Sequence, residues 1–304
     1  MSHQNTIARP VSIEGIGLHT GVPVHLRLVP APTGTGIVFK RVDLEGFTIK
    51  ATVKNVARVS YATSLMRKGV LISTTEHLLS ALTASGVDNV FIEIDNLEVP
   101  IMDGSALPFM RLLEQAGLKQ QRAWQAWAKI LKPVEVVEGQ KRIAIYPAED
   151  FSITYRIAFN HPLIGEQERS FSMNQLGYER GIAPARTFGF FEEVEMLRQS
   201  GLVRGGSLEN AIVLTRTGLM NPEGLRFPDE FCRHKILDLI GDLVMFGRPL
   251  LGHVVADRAG HAMHIALVNR LLREKSAWKL VRASRVSPAR SQSEAPAIAA
   301  SPAS

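Results

Sequence analysis

Twice along the chain a block of strand-like segments gives way to the same order of helix, strand, turn and helix, and this recurrence narrows the possible architectures more than any other feature. In the first pass, strand-like runs at 22–29 and 48–53 precede a helical pattern at 74–84, a strand at 89–94, a loop containing Gly and Pro, and a helix at 106–116. In the second, strands at 128–137, 142–146 and 152–159 precede a helix at 229–246, a strand at 250–256, a Gly-containing turn and a helix at 262–275. The pattern predicts an α+β fold of two related domains, each a sheet plus helices, packed against each other with small inserts in each. The expected division is 1–122 and 123–284, with the boundary near 118–127. Residues 285–304 are rich in Ser, Ala and Pro and are expected to form a disordered tail with no catalytic role.

At 304 residues the chain is long enough for two ordinary domains. Hydrophobic residues make up 45% and charged residues 21%, a globular profile, and no apolar run approaches the ~18 residues a membrane span needs. The first residues lack a basic-then-apolar export pattern, and a single cysteine, Cys232, excludes an intramolecular disulfide. These features point to a cytoplasmic protein. The net charge of +6 suits a phosphate-bearing small molecule or an anionic lipid surface. No dense Lys/Arg cluster interleaved with aromatics is present, so nucleic acid is not expected as a partner.

Three stretches carry residues capable of chemistry. Pro228 and Asp229 mark a helix start, after which His234, Asp238 and Asp242 recur every four residues and share one helical face, with neighbours about 5–6 Å apart. That face can bind a cation, or it can be a solvated polar face carrying an i,i+4 pair. In Ser73-Thr74-Thr75-Glu76-His77, Ser73 and Glu76 fit a capping box. The alternative is a histidine ligand beside a carboxylate that takes a proton from metal-acidified water, as zinc hydrolases require. His261, at a loop–helix junction, is either a general acid or a surface residue. Other features carry less. Gly15 to Gly21 lacks the spacing of a dinucleotide fingerprint, Cys232 reads as a packing residue, and His161 and His253 read as structural. His264 falls on the last helix with no assigned role.

Taken together, these segments resemble the UDP-3-O-acyl-N-acetylglucosamine deacetylase family of lipid A biosynthesis, over about residues 5–281. The resemblance rests on Gly15-Ile16-Gly17-Leu18-His19-Thr20-Gly21, Ser73 to Leu78, Ile101-Met102-Asp103-Gly104-Ser105, Ala185-Arg186-Thr187-Phe188-Gly189-Phe190, Gly224-Leu225-Arg226-Phe227, Arg233 to Asp238, Gly241-Asp242-Leu243 and Gly260-His261. It implies a zinc-dependent deacetylase, with Fe(II) as the alternative metal in the cell. Its implied metal ligands are His77, His234 and Asp238. Glu76 is the implied general base, His261 the general acid, Asp242 the residue orienting that histidine, and Thr187 the oxyanion donor. Lys235, Phe188 and His19 are the implied substrate contacts. The family fold adds a β-α-β insert lining an acyl passage, expected near 190–212. The substrate implied is UDP-3-O-acyl-N-acetylglucosamine, and the expected state is a cytoplasmic monomer with peripheral contact to the inner membrane. The stretch 59–65 varies within the family near the acyl site, which leaves chain-length preference open.

Two other readings remain at this level. Two histidines and a carboxylate also describe the facial site of non-haem Fe(II) oxygenases, although those usually place a His-x-Asp pair on one strand. A duplicated scaffold that binds lipid-linked sugars without catalysis is the other.

Overall fold

The computed structural model describes residues 2–282, so the expected tail at 285–304 lies outside the described residues. The fold is mixed α+β. In the first part of the chain, five strands form one sheet in the order Val11–Ile16, Pro23–Pro30, Val90–Ile94, Ile37–Arg41, Phe47–Lys50. Alternation builds it: Val24, Leu26 and Leu28 are buried while the residues between them are exposed, the period-two signature of a half-covered sheet. Helices α1 (Glu76–Ala84) and α2 (Leu107–Ala116) pack against each other, and α2 lies on Val11–Ile16. In α1, Leu78, Leu79 and Leu82 are fully buried, each contributing roughly 1.5–3 kcal/mol of hydrophobic stabilisation. A three-stranded sheet, Val56–Arg58, Ser64–Arg67 and Val70–Ile72, lies between the main sheet's last hairpin and α1 in sequence.

In the later part, strand Leu250–Asp257 is the hub of a seven-stranded sheet. It pairs antiparallel with Lys141–Tyr146 and parallel with both Phe151–Ala158 and Trp127–Ile130. The single strand expected at 128–137 is two, Trp127–Ile130 and Val134–Glu138, because Pro133 cannot donate to a ladder and interrupts the run. Helix α3 (Gln175–Gly181) is followed by a parallel β-α-β unit of Phe188–Phe190, α4 (Phe191–Gln199) and Ile212–Leu214, which falls where the insert was expected. Helices α5 (Glu230–Leu243) and α6 (His261–Arg273) complete the set.

Among the described residues, every strand pairing lies within 3–124 or within 127–281. The stretch 118–127 is no loose linker, since Leu118–Trp124 is a strand paired back to His3–Ile7. The two parts meet where α1 crosses α5. A Cβ at Gly241 would stand 2.1 Å from the Glu76 carbonyl oxygen, so glycine is what lets the helices approach. That close crossing sets the first turn of α1 against the polar face of α5.

Candidate metal centre and active site

The polar face of α5 is not solvated. His234 and Asp238 are 2% exposed and Asp242 is fully buried, and twelve of the helix's fourteen residues are buried. The solvated-face alternative therefore fails, and these groups must find partners inside the protein. His77 arrives from α1, 4% exposed, with its ring edge-on to that of His234 at 5.0 Å. One ligand atom from each of His77, His234 and Asp238 lies within 4.8 Å of the others.

The protonation states fit a cation. Burial first, and the facing His234 second, push the His77 imidazole down to about 3. Burial likewise lowers His234. Burial alone would raise the Asp238 carboxyl, but His234, Lys235, His261 and His77 around it hold it well below the usual carboxylate range. Two neutral imidazoles and a carboxylate are the forms that bind metal. His234 Nδ1 lies 3.1 Å from the Ala185 carbonyl oxygen and donates to it, which leaves the Nε2 lone pair 3.3 Å from Asp238 Oδ1. His77 Nε2 stands 3.7 Å from the same oxygen, and Asp238 Oδ1 is buried with no hydrogen-bond partner. Converging lone pairs with no hydrogen between them are tolerable where a cation sits among them, so the cluster can hold a metal ion.

Glu76 does not cap its own helix. Thr75 occupies the cap position, and the Glu76 carboxylate accepts from the Thr63 N–H at 3.0 Å. Burial raises the Glu76 carboxyl to about 7 against the opposing pull of His261, which makes it a proton acceptor poised near neutrality. His261 Nε2 lies 3.9 Å from both Glu76 Oε1 and Asp238 Oδ2. Its Nδ1 is 2.7 Å from Asp242 Oδ2. Burial on its own lowers the His261 imidazole, but Asp242, with Asp238 and Glu76, more than reverses this and leaves it raised to about 9. One carboxylate and one imidazolium thus face the same space, an arrangement able to take up a proton on one side and give one on the other.

A cavity of about 380 Å³ is lined by Glu76, His77, Thr187, Phe188, His234, Lys235, Asp238 and His261, eight of the ten residues singled out in the sequence. Lys235 Nζ pairs with Asp238 Oδ2 at 2.8 Å and lies 5.6 Å over the Phe188 ring. Asp242 sits behind the lining, on His261. His19 is not brought to that lining: it lies in a loop against Glu98, its Nδ1 buried without a hydrogen-bond partner. Sequence reasoning missed several groups. Thr63 serves Glu76 through its N–H and Asp242 through its hydroxyl. His264 donates from Nδ1 to Asp242 Oδ2 at 2.8 Å and meets Tyr155 Oη at 3.0 Å through Nε2. The spacing of three residues between His261 and His264 is a signal that puts both on one helical face. For Thr63 no local signal exists. Cys232 is buried and its Sγ donates to the Tyr155 carbonyl, consistent with packing.

Residues 4–273 match the family model described as UDP-3-O-acyl N-acetylglycosamine deacetylase (LpxC). The chain belongs to that family. It is 53% identical over 281 residues to the UDP-3-O-acyl-N-acetylglucosamine deacetylase of Solibacter usitatus, covering 92% of this chain and 95% of that protein. The proteins of the same name from Myxococcus xanthus and Wolinella succinogenes are each 48% identical, covering 93% and 91% of this chain and 90% and 93% of theirs. With membership in the deacetylase family established, the buried His/Asp cluster and its flanking Glu76 and His261 fall inside the matched span. Among the described residues, no helix is long and apolar enough to cross a membrane.

Proposed function

We propose that this chain hydrolyses the acetamide of UDP-3-O-acyl-N-acetylglucosamine, giving acetate and the free 2-amine of the 3-O-acyl sugar nucleotide, with zinc held by His77, His234 and Asp238. The observation that carries this reading is the convergence of that cluster with Glu76 and His261 on one cavity, in a member of the deacetylase family. A zinc ion held by His77, His234 and Asp238 would supply Lewis-acid polarisation of the carbonyl and of the attacking water. Glu76 takes the water's proton at a carboxylate oxygen as the oxygen bonds to the carbonyl carbon. The Thr187 hydroxyl donates to the oxygen on which negative charge develops, a contribution of about 3–4 kcal/mol in comparable sites. His261 hands a proton from Nε2 to the nitrogen as the C–N bond breaks. Asp242 holds Nδ1 and keeps the ring charged for that transfer. Phe188 walls the sugar side and Lys235 faces the anionic end of the substrate, while His19, off this lining, would meet only a part of the substrate that extends beyond the cavity. We place the enzyme in the cytoplasm as a monomer that touches the inner membrane only peripherally, where its acylated substrate is met.

The test is acetate release from a UDP-3-O-acyl-N-acetylglucosamine by intact protein, by chelator-stripped protein and by stripped protein given zinc or Fe(II) without oxygen. Release by the first, loss in the second and recovery in the third is expected. Full activity after complete stripping would remove the metal from the mechanism. No release by metal-replete protein would end the deacetylase reading.

A further inference from the structure

Resting on that reading, we propose that Glu98 is a positioning residue: its buried carboxylate locks the His19 loop to the residue that aims Glu76 and His77. Glu98 is fully buried, and among the described residues it forms no ion pair. Its hydrogen-bond donors are two backbone N–H groups and one hydroxyl. Oε1 accepts from the His19 N–H at 2.9 Å and from the Thr74 hydroxyl at 2.9 Å. Oε2 accepts from the Thr20 N–H at 2.9 Å and more distantly from His19 N–H at 3.2 Å. The loop can come this close because residue 17 is glycine: a Cβ there would lie 2.4 Å from Oε2.

Thr74 is the other end of the clamp. It has φ 58°, a left-handed conformation that a β-branched residue avoids, and it is 3% exposed. Such a conformation persists only where its surroundings enforce it. Here Ser73 is zipped to the Glu98 segment by Ser73 N–H to Leu97 O and Val99 N–H to Ser73 O, an isolated parallel bridge. Thr75 donates from both its backbone and its hydroxyl to the Thr63 carbonyl. Between these two anchors only the Thr74 hydroxyl reaches Glu98. The chain leaves Thr74 directly into Thr75, Glu76 and His77, so the direction of α1's first turn depends on how Thr74 is held. On the far side, the His19 loop is also docked to the segment after α4, through Arg204 N–H to His19 O and Gly205 N–H to Leu18 O. One carboxylate therefore joins the insert side of the site to its metal side.

The experiment compares Glu98→Gln, Thr74→Val and Thr74→Ser with the wild-type full chain, reading KM and kcat for acetate release, zinc dissociation into a chelator, and Tm. Glu98→Gln sets an amide N–H against a donor, so zinc retention and KM should each worsen by about tenfold, the scale of an outer partner of a metal ligand. Thr74→Val keeps the shape but loses the hydroxyl; it should reproduce the zinc defect and leave KM within about twofold of wild type, while Thr74→Ser restores zinc retention. If Glu98→Gln fails to fold, Thr74→Val decides alone. Zinc dissociation in Thr74→Val equal to wild type overturns the proposal, as does a Glu98→Gln protein with lowered Tm but unchanged KM and zinc retention. A change in KM alone overturns the coupling. Should the wild-type protein release no acetate, the deacetylase reading fails, and zinc dissociation still decides the clamp.

Discussion

Glu76 and His261 are 3.9 Å apart at their nearest charged atoms, and each is displaced from its ordinary protonation in the direction that the proposed proton transfers require. Glu76, raised to about 7 by burial, accepts a proton only once deprotonated, so activity climbs as pH rises through its pKa. His261, left at about 9 once Asp242 has overcome burial, donates only while charged, so activity falls as pH rises through its pKa. The expected kcat/KM profile is a bell, and a cation in the cluster moves both limbs to lower pH because it favours the carboxylate and disfavours the imidazolium. His261→Gln should flatten the basic limb, and Glu76→Gln the acid limb. Each should cost on the order of 10²–10⁴ in kcat while zinc stoichiometry stays at that of the wild type. Loss of metal from Glu76→Gln would mean that the residue is a ligand. A basic limb unchanged in His261→Gln would remove His261 from proton transfer. A second residue-scale test concerns Arg186, 2% exposed, whose guanidinium and backbone N–H both bond the fully buried Glu230. This pair fixes the turn that offers the Ala185 carbonyl to His234 and Thr187 to the cavity. Arg186→Met should destabilise by about 3–5 kcal/mol in urea titrations because it strands a buried carboxylate, and adding Glu230→Leu should recover part of that loss.

At the scale of elements, the α1–α5 crossing decides whether His77 meets His234. Gly241→Ala drives a Cβ into the Glu76 backbone, which has no flexible end to yield, so the helices must part. A loss of about 1–3 kcal/mol is expected, together with weaker zinc retention, since α1 carries one ligand and α5 two. Unchanged zinc retention in a destabilised Gly241→Ala protein would show that the crossing is not what sets the ligand geometry. The helices were legible because their apolar spacing is local: the patterns at 229–246 and 262–275 match α5 and α6 to within a few residues. The hub strand was legible by length but not by role, because its three partners come from 127–158 and no local pattern encodes pairing. Of the site, the shared helical face of His234, Asp238 and Asp242 was legible from spacing, but the spacing alone left a solvated polar face open and the roles rested on the family resemblance. Thr63 was not legible, since its part depends on a loop N–H reaching Glu76 across thirteen residues and a hydroxyl reaching Asp242 across 179. The capping-box pattern at Ser73 and Glu76 misled for the same reason: a distant donor, Thr63, claims the Glu76 carboxylate, and Ser73 turns to Ser64.

Across the whole molecule, strand pairing keeps to two separate sets, and the ligand cluster draws from both: His77 from the first, His234 and Asp238 from the second. We propose that the metal is therefore also a fastener between two domains. A cation bound only by the assembled form stabilises it by RT ln(1 + [L]/Kd), about 4 kcal/mol at a thousandfold excess over Kd. For a chain of this size that corresponds to a rise in Tm on the order of 10 °C. Without a cation, neutral His77 and His234 face the Asp238 carboxylate oxygen with no hydrogen to share, so the stripped protein should lose this increment at the crossing itself. Calorimetry of zinc-loaded and stripped protein should show a single transition that moves as a whole, because the core is continuous through α1 and α5. His77→Ala should match the stripped protein and no longer respond to added zinc. If zinc instead shifted only the later of two separate transitions, His77 would contribute little to binding, and the cluster would belong to α5 alone.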